Sequence, residues 1–197
     1  MNYFAPKSVA ERYAKGRPYF HPQVVSRIKA YLSLAEPVAC ALDVGCGTGL
    51  SSIALKTIAR HVVGVDNAAE MLALAPTDPQ IEYFVAPAEK IPVDDGDFDL
   101  ITISSAFHWM NRSAFFTEAR KVLRPQGWLV VYDNYFCARM EESRAFQTWG
   151  RECYFTKYPS PPRAPVGFGA EDTEQEGFRL VGQEDYQNFC SFRWRPW

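Results

Sequence analysis

The sequence lacks the features that mark several classes of protein. No apolar run approaches the roughly 18 residues of a membrane-spanning helix, and residues 1–20 contain no signal-peptide core. The 21 basic and 23 acidic side chains leave a net charge of −2. There is therefore no basic surplus of the kind that binds nucleic acid or an acidic membrane. We expect a cytoplasmic globular protein with neither nucleic acid nor a membrane as partner.

Residues that commonly bind metals are few and scattered. The five cysteines, at positions 40, 46, 137, 153 and 190, include no C-x-x-C pair, and the three histidines are far apart. The odd number and the spacing argue against a disulfide framework or a zinc site. Small thiols in a reducing compartment are the better interpretation. The acidic stretch at positions 94–99 is better explained as a turn, with Asp99 supporting strand structure, so we predict no metal site.

What the sequence does contain is an alternation of short apolar runs with amphipathic segments. The predicted strands span residues 39–44, 61–66, 81–87, 99–107 and 128–136, and the predicted helices span 22–35, 48–59, 68–75 and 113–123. Continuous apolar strands separated by helices favour a mostly parallel sheet with helices on both faces. Right-handed crossovers then give a doubly wound α/β fold, whose ligands bind beyond the carboxyl ends of the strands.

The last third of the chain is less regular. A helix is predicted over 142–155, a proline-rich loop over 158–169 and one edge strand over 178–192. The residues expected to face inward from that helix are Ala145, Phe146, Trp149 and Cys153. This pattern leaves one strand candidate after the fifth strand.

The segment with the clearest functional signal is D-V-G-C-G-T-G at 43–49, between the first predicted strand and the helix that follows it. Its glycines permit a tight turn and a close approach of a ligand to the backbone, and the following helix offers free N–H groups. Such a turn alone is weak evidence, because nicotinamide and flavin enzymes use similar ones. Two acids add to it: Asp43 lies inside the strand, and Asp66 ends the second strand, 19 residues after Gly47. A carboxylate at that place can accept both hydroxyls of a ribose.

Further motifs follow the turn in a fixed order. They are G-V-D at 64–66, A-E-K-I-P-V-D-D at 88–95, F-D at 98–99, H-W at 108–109 and V-L-R-P-Q-G at 122–127. In this combination the chain resembles the class I S-adenosylmethionine-dependent methyltransferases, and within them the small-molecule branch called type 11. The resemblance runs from about residue 10 to about residue 136.

This resemblance implies a Rossmann-like methyltransferase fold and a single domain over residues 1–197. An N-terminal lid and helix would occupy 1–36, a cofactor-binding core 37–136, and an irregular part 137–197. The implied cofactor is S-adenosyl-L-methionine, with S-adenosyl-L-homocysteine as its product.

The resemblance also assigns cofactor roles by position. Gly45, Cys46 and Gly47 would line the methionine part through their backbone. Asp43 would anchor the turn and approach the amino group of the cofactor, and Asp66 would hold the ribose. The other implied residues are Asn67 and Met71 beside the adenine, Ala88 and Glu89 at its ring edge, Ser104 and Ser105 under the methionine, and Tyr13, Arg17 and Tyr19 in a lid segment.

Three of these residues have structural alternatives that stay open at this point. Asp66 could be an N-cap of the next helix, Met71 could be plain core, and Glu89 could be a solvated loop acid. The sequence pattern favours the ribose role for Asp66, and only the ordered set of motifs favours the cofactor role of Glu89.

His108 is the best candidate for a catalytic base, because it follows the fourth strand, where the acceptor must come. An acceptor that carries a proton on oxygen or nitrogen needs a base, whereas a carboxylate acceptor needs none at neutral pH. His108 and Trp109 could equally only shape the pocket. The expected pocket residues are Tyr19, Trp109 and Tyr135, with Phe136 nearby and Arg17 or Arg139 available to attract an anion. No N-P-P-Y or D-P-P-Y follows the fourth strand, which disfavours methylation of nucleic acid.

The pattern departs from the family after the fifth strand, where relatives close their sheet with a sixth and a seventh strand. A sheet without its last strand has an open edge, and such edges pair with other chains. A homodimer through the C-terminal edge is therefore expected. The leading interpretation is methyl transfer to a small-molecule acceptor, by O-, C- or N-methylation. The alternative is a catalytically impaired cofactor-binding domain that acts as an interaction module, and a nicotinamide oxidoreductase is less favoured.

Overall fold

Five parallel strands form one sheet in the computed structural model, which describes residues 6–159, 169–185 and 187. The strands are β1 (Val38–Val44), β2 (Ala59–Asp66), β3 (Ile81–Val85), β4 (Phe98–Ser104) and β5 (Leu123–Tyr132), in the order β3-β2-β1-β4-β5. The order reverses between β1 and β4, so the carboxyl ends of these two strands border the crevice in which such sheets bind ligands. The predicted doubly wound, mostly parallel α/β fold is confirmed.

Helices cover both faces of the sheet. The helices are α1 (Lys7–Gly16), α2 (His21–Tyr31), α3 (Leu50–Leu55), α4 (Ala69–Leu72), α5 (Arg112–Val122), α6 (Arg144–Trp149), α7 (Phe155–Lys157) and α8 (Ala170–Gln175). Ala41 and Leu100 pack with α2 and α3, whereas their neighbours Leu42 and Ile101 pack with α5 on the other face. Successive side chains of a strand point to opposite faces of the sheet. Since helices cover both faces, every position along the strand is buried, and the strands read as continuous apolar runs.

The helices after β1 and β2 are shorter than predicted. Those predicted over 48–59 and 68–75 keep α-helical geometry only over Leu50–Leu55 and Ala69–Leu72. Beyond these bounds the chain continues with tighter turns, in which the N–H of Ile58 donates to the carbonyl of Leu55 and that of Ala75 to Leu72. Hydrogen bonds that reach back three residues instead of four end an α-helix in this way.

Two strands also differ from their predicted bounds. β4 ends at Ser104 rather than 107, because Ser105 adopts a left-handed backbone conformation with φ of +52°. β5 begins at Leu123 rather than 128, and its pairing with β4 is interrupted before Trp128. Pro125 lies within that interruption, at an edge where proline is tolerated. Residues 133–136, predicted as strand, lie outside it.

The N-terminal helix α1 forms where no helix was predicted. Its single buried residue, Ala10, packs against Ala68 and Met71 beside α4. A helix with one buried small residue has little apolar periodicity, so the sequence carries only a weak signal for it.

The C-terminal part departs most from expectation. The predicted helix over 142–155 is present as α6, a π-helical turn (Gly150–Tyr154) and α7. However, Ala145, Trp149 and Cys153 are exposed, so the inward orientation predicted for them is wrong, and only Phe146 is half-buried. The aromatic rings here stack on one another instead, with Phe146 and Trp149 centroids 5.3 Å apart.

The predicted edge strand over 178–192 does not form in residues 178–185, and 186 and 188–192 lie outside the described residues. Residues 177–185 instead cross beside β5 from α5 to α2. The Phe178 ring lies 5.3 Å from the Phe116 ring, Tyr31 donates to the carbonyl of Val181, and Arg27 donates to Glu184 at 2.7 Å. Within the described part of the chain, the outer edge of β5 is therefore unpaired. Most of the predicted loop over 158–169 also lies outside the described residues.

None of the helices in the described part of the chain combines the length and the apolar character that crossing a membrane requires.

Gly64 on β2 is closely packed in the sheet and provides a test of the fold. A Cβ atom there would lie 2.7 Å from the Tyr83 ring and 3.0 Å from the Cys46 sulfur. Gly64→Ala should therefore lower the free energy of unfolding by about 1–3 kcal/mol, measured by urea denaturation. Gly16→Ala is the matched control, because no atom lies within 4 Å of its Cβ position. Equal stability of the two variants would contradict the described packing of Tyr83 on β2.

Candidate active site

The carboxylate of Asp43 is the centre of the site and is completely buried. Ser51 and Ser52 each donate a hydroxyl hydrogen bond of 2.6 Å to Oδ2, and Thr102 donates one of 3.3 Å to Oδ1. Burial raises the pKa of Asp43 to about 6. These contacts link β1 to the start of α3 and to β4, so the Asp43 side chain anchors the glycine turn on its buried side.

The three hydroxyl residues around Asp43 were not identified from the sequence, although a signal was present. Ser51 and Ser52 lie on the first turn of the helix after the glycine turn. Thr102 is the register partner of Asp43 on β4. A buried acid needs hydrogen-bond donors, and these were the nearest hydroxyl groups on the elements predicted beside it.

The backbone of the glycine turn is tied to β2. The N–H groups of Gly45 and Cys46 donate to the carbonyl of Val65 at 2.8 and 3.1 Å. Gly45 has a φ of +70°, and a Cβ atom there would lie 2.5 Å from the Cβ of Ala106. Only glycine fits this position, because any side chain would meet the segment after β4.

Asp66 bridges the glycine turn and the segment that leads to α4. Its Oδ2 accepts the N–H of Gly47 at 2.8 Å, and its Oδ1 accepts the N–H of Ala68 at 2.9 Å. Burial raises the pKa of this half-buried carboxyl. Asp66 is not the N-cap of α4, because Ala68 occupies that position and α4 has no side-chain cap; the contact with Ala68 closes a turn before the helix. A carboxylate has about four lone-pair sites, so the same group can accept further hydrogen bonds.

The residues implied for the adenine lie around the ends of β2 and β3. Asn67 is exposed beside Asp66, and Ala88 is half-buried against the apolar cluster under α5. Glu89 is half-buried, and its Oε1 accepts the N–H of Asn111 at 2.8 Å, just before α5. Met71 is buried between α1 and α4, as the core alternative describes, and its methyl group would lie 3.1 Å from a Cβ at Gly47.

A lid formed by α1 and the residues after it lies across the carboxyl ends of the strands. Arg17 donates to the hydroxyl of Ser105 at 2.7 Å, and its guanidinium lies 5.4 Å from the Tyr13 ring centroid. His21 Nδ1 lies 3.1 Å from the hydroxyl of Tyr132. Burial, and then the charge of Arg17, lower the pKa of His21 to about 4. The lid is thus joined to the ends of both β4 and β5, and His21 had no sequence motif to indicate it.

A cavity of about 10 Å³ lies between this lid and the glycine turn. It is lined by Tyr13, Arg17, His21, Gly45, Cys46, Thr48, Leu50, Ser51 and Ser104. Five of the residues implied for the cofactor are therefore brought together here. The volume suits about one water molecule, so a larger ligand requires the lid to move.

Two polar atoms at this cavity lack partners. Ser104 Oγ and Arg17 Nε are buried with no hydrogen-bond partner among the residues that the structure describes. Such groups are costly unless something satisfies them. An acceptor-rich group such as a carboxylate would fit Arg17, and Ser104 can donate or accept, so the residues present fit the methionine end of the implied cofactor.

His108 lies on a short 3₁₀ helix (Phe107–Trp109) after β4 and is buried. Its Nδ1 is 3.8 Å from Oδ2 of Asp133, the residue after β5, which the sequence did not single out. His108, Asp133 and Tyr135 line a larger cavity of about 1630 Å³ beside β5. Trp109 and Tyr19 line neither cavity as the described residues form them, and Tyr19 is half exposed at 51%. The structure thus places His108 and Tyr135 at the same cavity, and the ring of Trp109 lies 4.8 Å from that of His108 without lining the cavity.

Comparisons with known proteins agree with this geometry. Residues 42–131 match the family of the methyltransferase domain, type 11. A provisionally named methyltransferase of Dictyostelium discoideum is 30% identical over 125 residues, which cover 64% of this chain and 47% of that protein. An uncharacterized methyltransferase of Mycobacterium tuberculosis is 33% identical over 128 residues, 64% of this chain and 51% of that protein. The chain spans about half the length of these curated relatives.

A solved structure from Anaeromyxobacter dehalogenans, provisionally named a type II methyltransferase, superposes with a TM-score of 0.60 at 25% identity. The match covers 74% of this chain and 59% of that one. The matched residues 42–131 run from β1 to β5 and so include the glycine turn, Asp66 and His108. Residues 42–131 therefore resemble a type 11 methyltransferase domain in sequence, and the chain resembles the Anaeromyxobacter structure in fold.

Proposed function

We propose that this chain transfers a methyl group from S-adenosylmethionine to a small-molecule acceptor. The observation that carries the proposal is a pair of buried atoms, Ser104 Oγ and Arg17 Nε, that have no hydrogen-bond partner in the described part of the chain. They lie beside a turn in which Gly45 leaves no room for a side chain. Buried polar atoms are nearly always hydrogen-bonded, so two unsatisfied ones at one cavity support a ligand there.

Different residues of the chain bind different parts of the cofactor. Arg17 and Ser104 face the methionine end, where the guanidinium suits a carboxylate. Gly45, Cys46 and Gly47 border the same end through their backbone. Asp66 accepts the ribose hydroxyls with its remaining lone pairs, which adds a ribose role to its hydrogen bonds from the N–H groups of Gly47 and Ala68.

The remaining cofactor residues lie further along the same edge of the sheet. Asn67 and Met71 flank the adenine, with Ala88 and Glu89 at its ring edge, and Tyr13 belongs to the lid. Asp43 acts indirectly, by fixing the glycine turn on its buried side, because its two oxygens already accept hydrogen bonds from three hydroxyls.

When bound, the cofactor would supply a methyl group on a sulfonium: a lone pair of the acceptor would bond to the methyl carbon, and the carbon–sulfur pair would leave with the sulfur as a neutral thioether. The protein's contribution is to orient the two partners and exclude water. The lid excludes water, since Tyr13, Arg17 and His21 enclose the cavity beside the glycine turn. The acceptor enters beside β5, where His108, Tyr135 and Asp133 line the larger cavity, with Tyr19 and Trp109 at its approaches.

The proposal includes a cytoplasmic site of action, with no nucleic acid or membrane as partner. The near-neutral charge supports it. Cys40, Cys46, Cys137 and Cys153 are all free thiols, as in a reducing compartment.

Calorimetric titration with S-adenosylhomocysteine tests the cofactor site. Asp66→Asn should weaken binding by a factor of ten or more, because it removes the negative charge to which the ribose hydroxyls donate. A tenfold loss of affinity is roughly 1.4 kcal/mol of binding free energy. Asp97→Asn makes the same chemical change at the opposite end of the sheet, just before β4, and should leave affinity unchanged. NADH should give no heat. Absence of binding by the folded wild-type chain would contradict the proposal and favour the interaction-module alternative.

Ser104→Ala separates a binding role from a packing role in the same experiment. Since the Ser104 hydroxyl has no partner in the described part of the chain, its removal should leave the free protein as stable or more stable while weakening S-adenosylhomocysteine binding several-fold. Ser52→Ala is the contrasting control, because that hydroxyl donates to Asp43 and its loss should lower the free energy of unfolding by about 1–3 kcal/mol. A Ser104→Ala protein that is destabilised with unchanged affinity would contradict the assignment.

Among the residues that the structure describes, no strand pairs with the outer edge of β5, which supports a proposed homodimer through the C-terminal part of the chain. Exposed strand edges offer unpaired N–H and C=O groups to another chain, and Val131 on β5 is 43% exposed. We expect the chain to sediment as a dimer at high micromolar concentration. A single monomeric species across the whole concentration range would contradict this arrangement.

A further inference from the structure

Ser105 has a backbone conformation that glycine normally supplies. It follows the last residue of β4 and has a φ of +52°, which costs free energy for a residue with a Cβ atom. Its N–H donates to the carbonyl of Tyr132 at 2.9 Å, and its hydroxyl accepts a hydrogen bond of 2.7 Å from Nη2 of Arg17. A side chain that persists at a strained position beside a binding site is a candidate for a functional role.

We propose that Ser105 is a positioning residue for Arg17, whose guanidinium it orients for the carboxylate of the ligand. Arg17 lines the small cavity between the lid and the glycine turn, whereas Ser105 does not. Ser105 therefore acts through Arg17 and not by its own contact with the ligand. The inference deepens the proposed function and rests on it for the identity of the ligand.

The shape of the arginine side chain explains how one hydrogen bond can orient it. A guanidinium is a rigid, planar fork of five N–H donors. Ser105 holds this fork through Nη2, and the ring centroids of Tyr13 and Phe20 lie 5.4 and 5.7 Å from its central carbon. The Nε atom is buried and has no hydrogen-bond partner within the described ranges. Fixing Nη2 thus restricts the direction of the Nε–H group, which is left for a ligand.

A hydroxyl orients Arg17 without cancelling its charge. Arg124 shows the contrasting arrangement, because its Nη1 lies 2.7 Å from a carboxylate oxygen of Asp99 and its charge is paired. Arg17 is half-buried and forms no such ion pair with the residues that the structure describes. A cation withdrawn from water without a counter-charge is costly, so it favours a ligand that carries an anion. Serine at position 105 preserves this preference.

Calorimetric titration with two nucleosides tests the inference. S-adenosylhomocysteine carries an amino-acid carboxylate, and 5′-methylthioadenosine has the same adenosine and thioether without it. Ser105→Ala should lower the affinity for S-adenosylhomocysteine about fivefold, the cost of ordering one long side chain on binding, and leave the affinity for 5′-methylthioadenosine unchanged. In an Arg17→Gln background, Ser105→Ala should have no further effect, because the two residues act as one unit.

Ser105→Asp separates orientation of the charge from docking of the lid. Aspartate tolerates a left-handed backbone and still accepts a hydrogen bond from Arg17, but its charge cancels that of the guanidinium. It should weaken S-adenosylhomocysteine binding at least as much as Ser105→Ala does. Hydrogen exchange of the α1 amides without ligand reports lid docking. Exchange should be severalfold faster in Ser105→Ala and no faster in Ser105→Asp.

Ser33→Ala is the matched control. Ser33 also has a positive φ, of +50°, but it is exposed, and its hydroxyl has no hydrogen-bond partner in the part of the chain that the structure describes. This variant should change neither nucleoside binding nor the exchange of α1. Should Ser105→Ala fail to fold, Ser105→Gly makes the same test, because glycine removes the hydroxyl and adopts this conformation freely.

Three results would overturn the inference. They are an equal loss of affinity for both nucleosides in Ser105→Ala, additive effects of Arg17→Gln and Ser105→Ala, and unchanged exchange of α1 in Ser105→Ala. Failure of the folded wild type to bind S-adenosylhomocysteine would instead contradict the proposed cofactor, and the inference would fall with it. The two failures are therefore distinguishable.

Discussion

The buried carboxylate of Asp43 is the constraint on which the rest of the site depends. An acid inside an apolar strand costs several kcal/mol unless donors surround it. Here the donors come from three hydroxyls, on the first turn of α3 and on β4. Each hydrogen bond to a charged group contributes about 1.5–3 kcal/mol, so the three together offset much of the burial cost. Meeting this requirement fixes where α3 begins relative to β1.

That placement determines the shape of the glycine turn. Asp43 fixes the start of α3, and the carbonyl of Val65 accepts the N–H groups of Gly45 and Cys46. These two restraints hold the turn in one backbone conformation. That conformation brings Gly45 against Ala106 and Gly47 against the carboxylate of Asp66. Groups from β1, β2 and β4 thus converge at one edge, and the lid closes over them through Arg17 and His21.

Features that depend on neighbouring elements of the fold could be predicted from the sequence. The strands at 39–44 and 61–66 were identifiable because a parallel strand buried on both faces is apolar throughout. The pairing of Asp66 with the turn followed from its spacing, since a βαβ unit brings the ends of β1 and β2 together. Even so, the hydrogen bond from Ala68 to Asp66 and that from Asn111 to Glu89 became visible only in the folded chain.

Contacts that depend on how distant segments dock could not be predicted. His21 and Tyr132 are 111 residues apart, and neither lies in a motif. Asp133 meets His108 only because β5 pairs with β4. Trp149 was expected to face inward, yet it stacks on Phe146 at the surface, because aromatic residues can bury area against one another as well as against a sheet. The sequence of helix α1 has too little apolar periodicity for the helix to be predicted.

The pH dependence of stability tests the role of Asp43 most directly. Because its pKa is raised from 3.8 to about 6 in the folded protein, the folded state binds a proton that the unfolded state has already released. The contribution of this carboxyl is therefore greatest below about pH 4 and is lost as the pH rises through 6. The measurement is the free energy of unfolding of the wild type and of Asp43→Asn, determined in urea at each pH from 4 to 7. The account predicts that the wild type loses up to about 3 kcal/mol relative to the variant over this range. Parallel curves would contradict it, since they would mean that Asp43 titrates as an exposed acid and does not organise the turn.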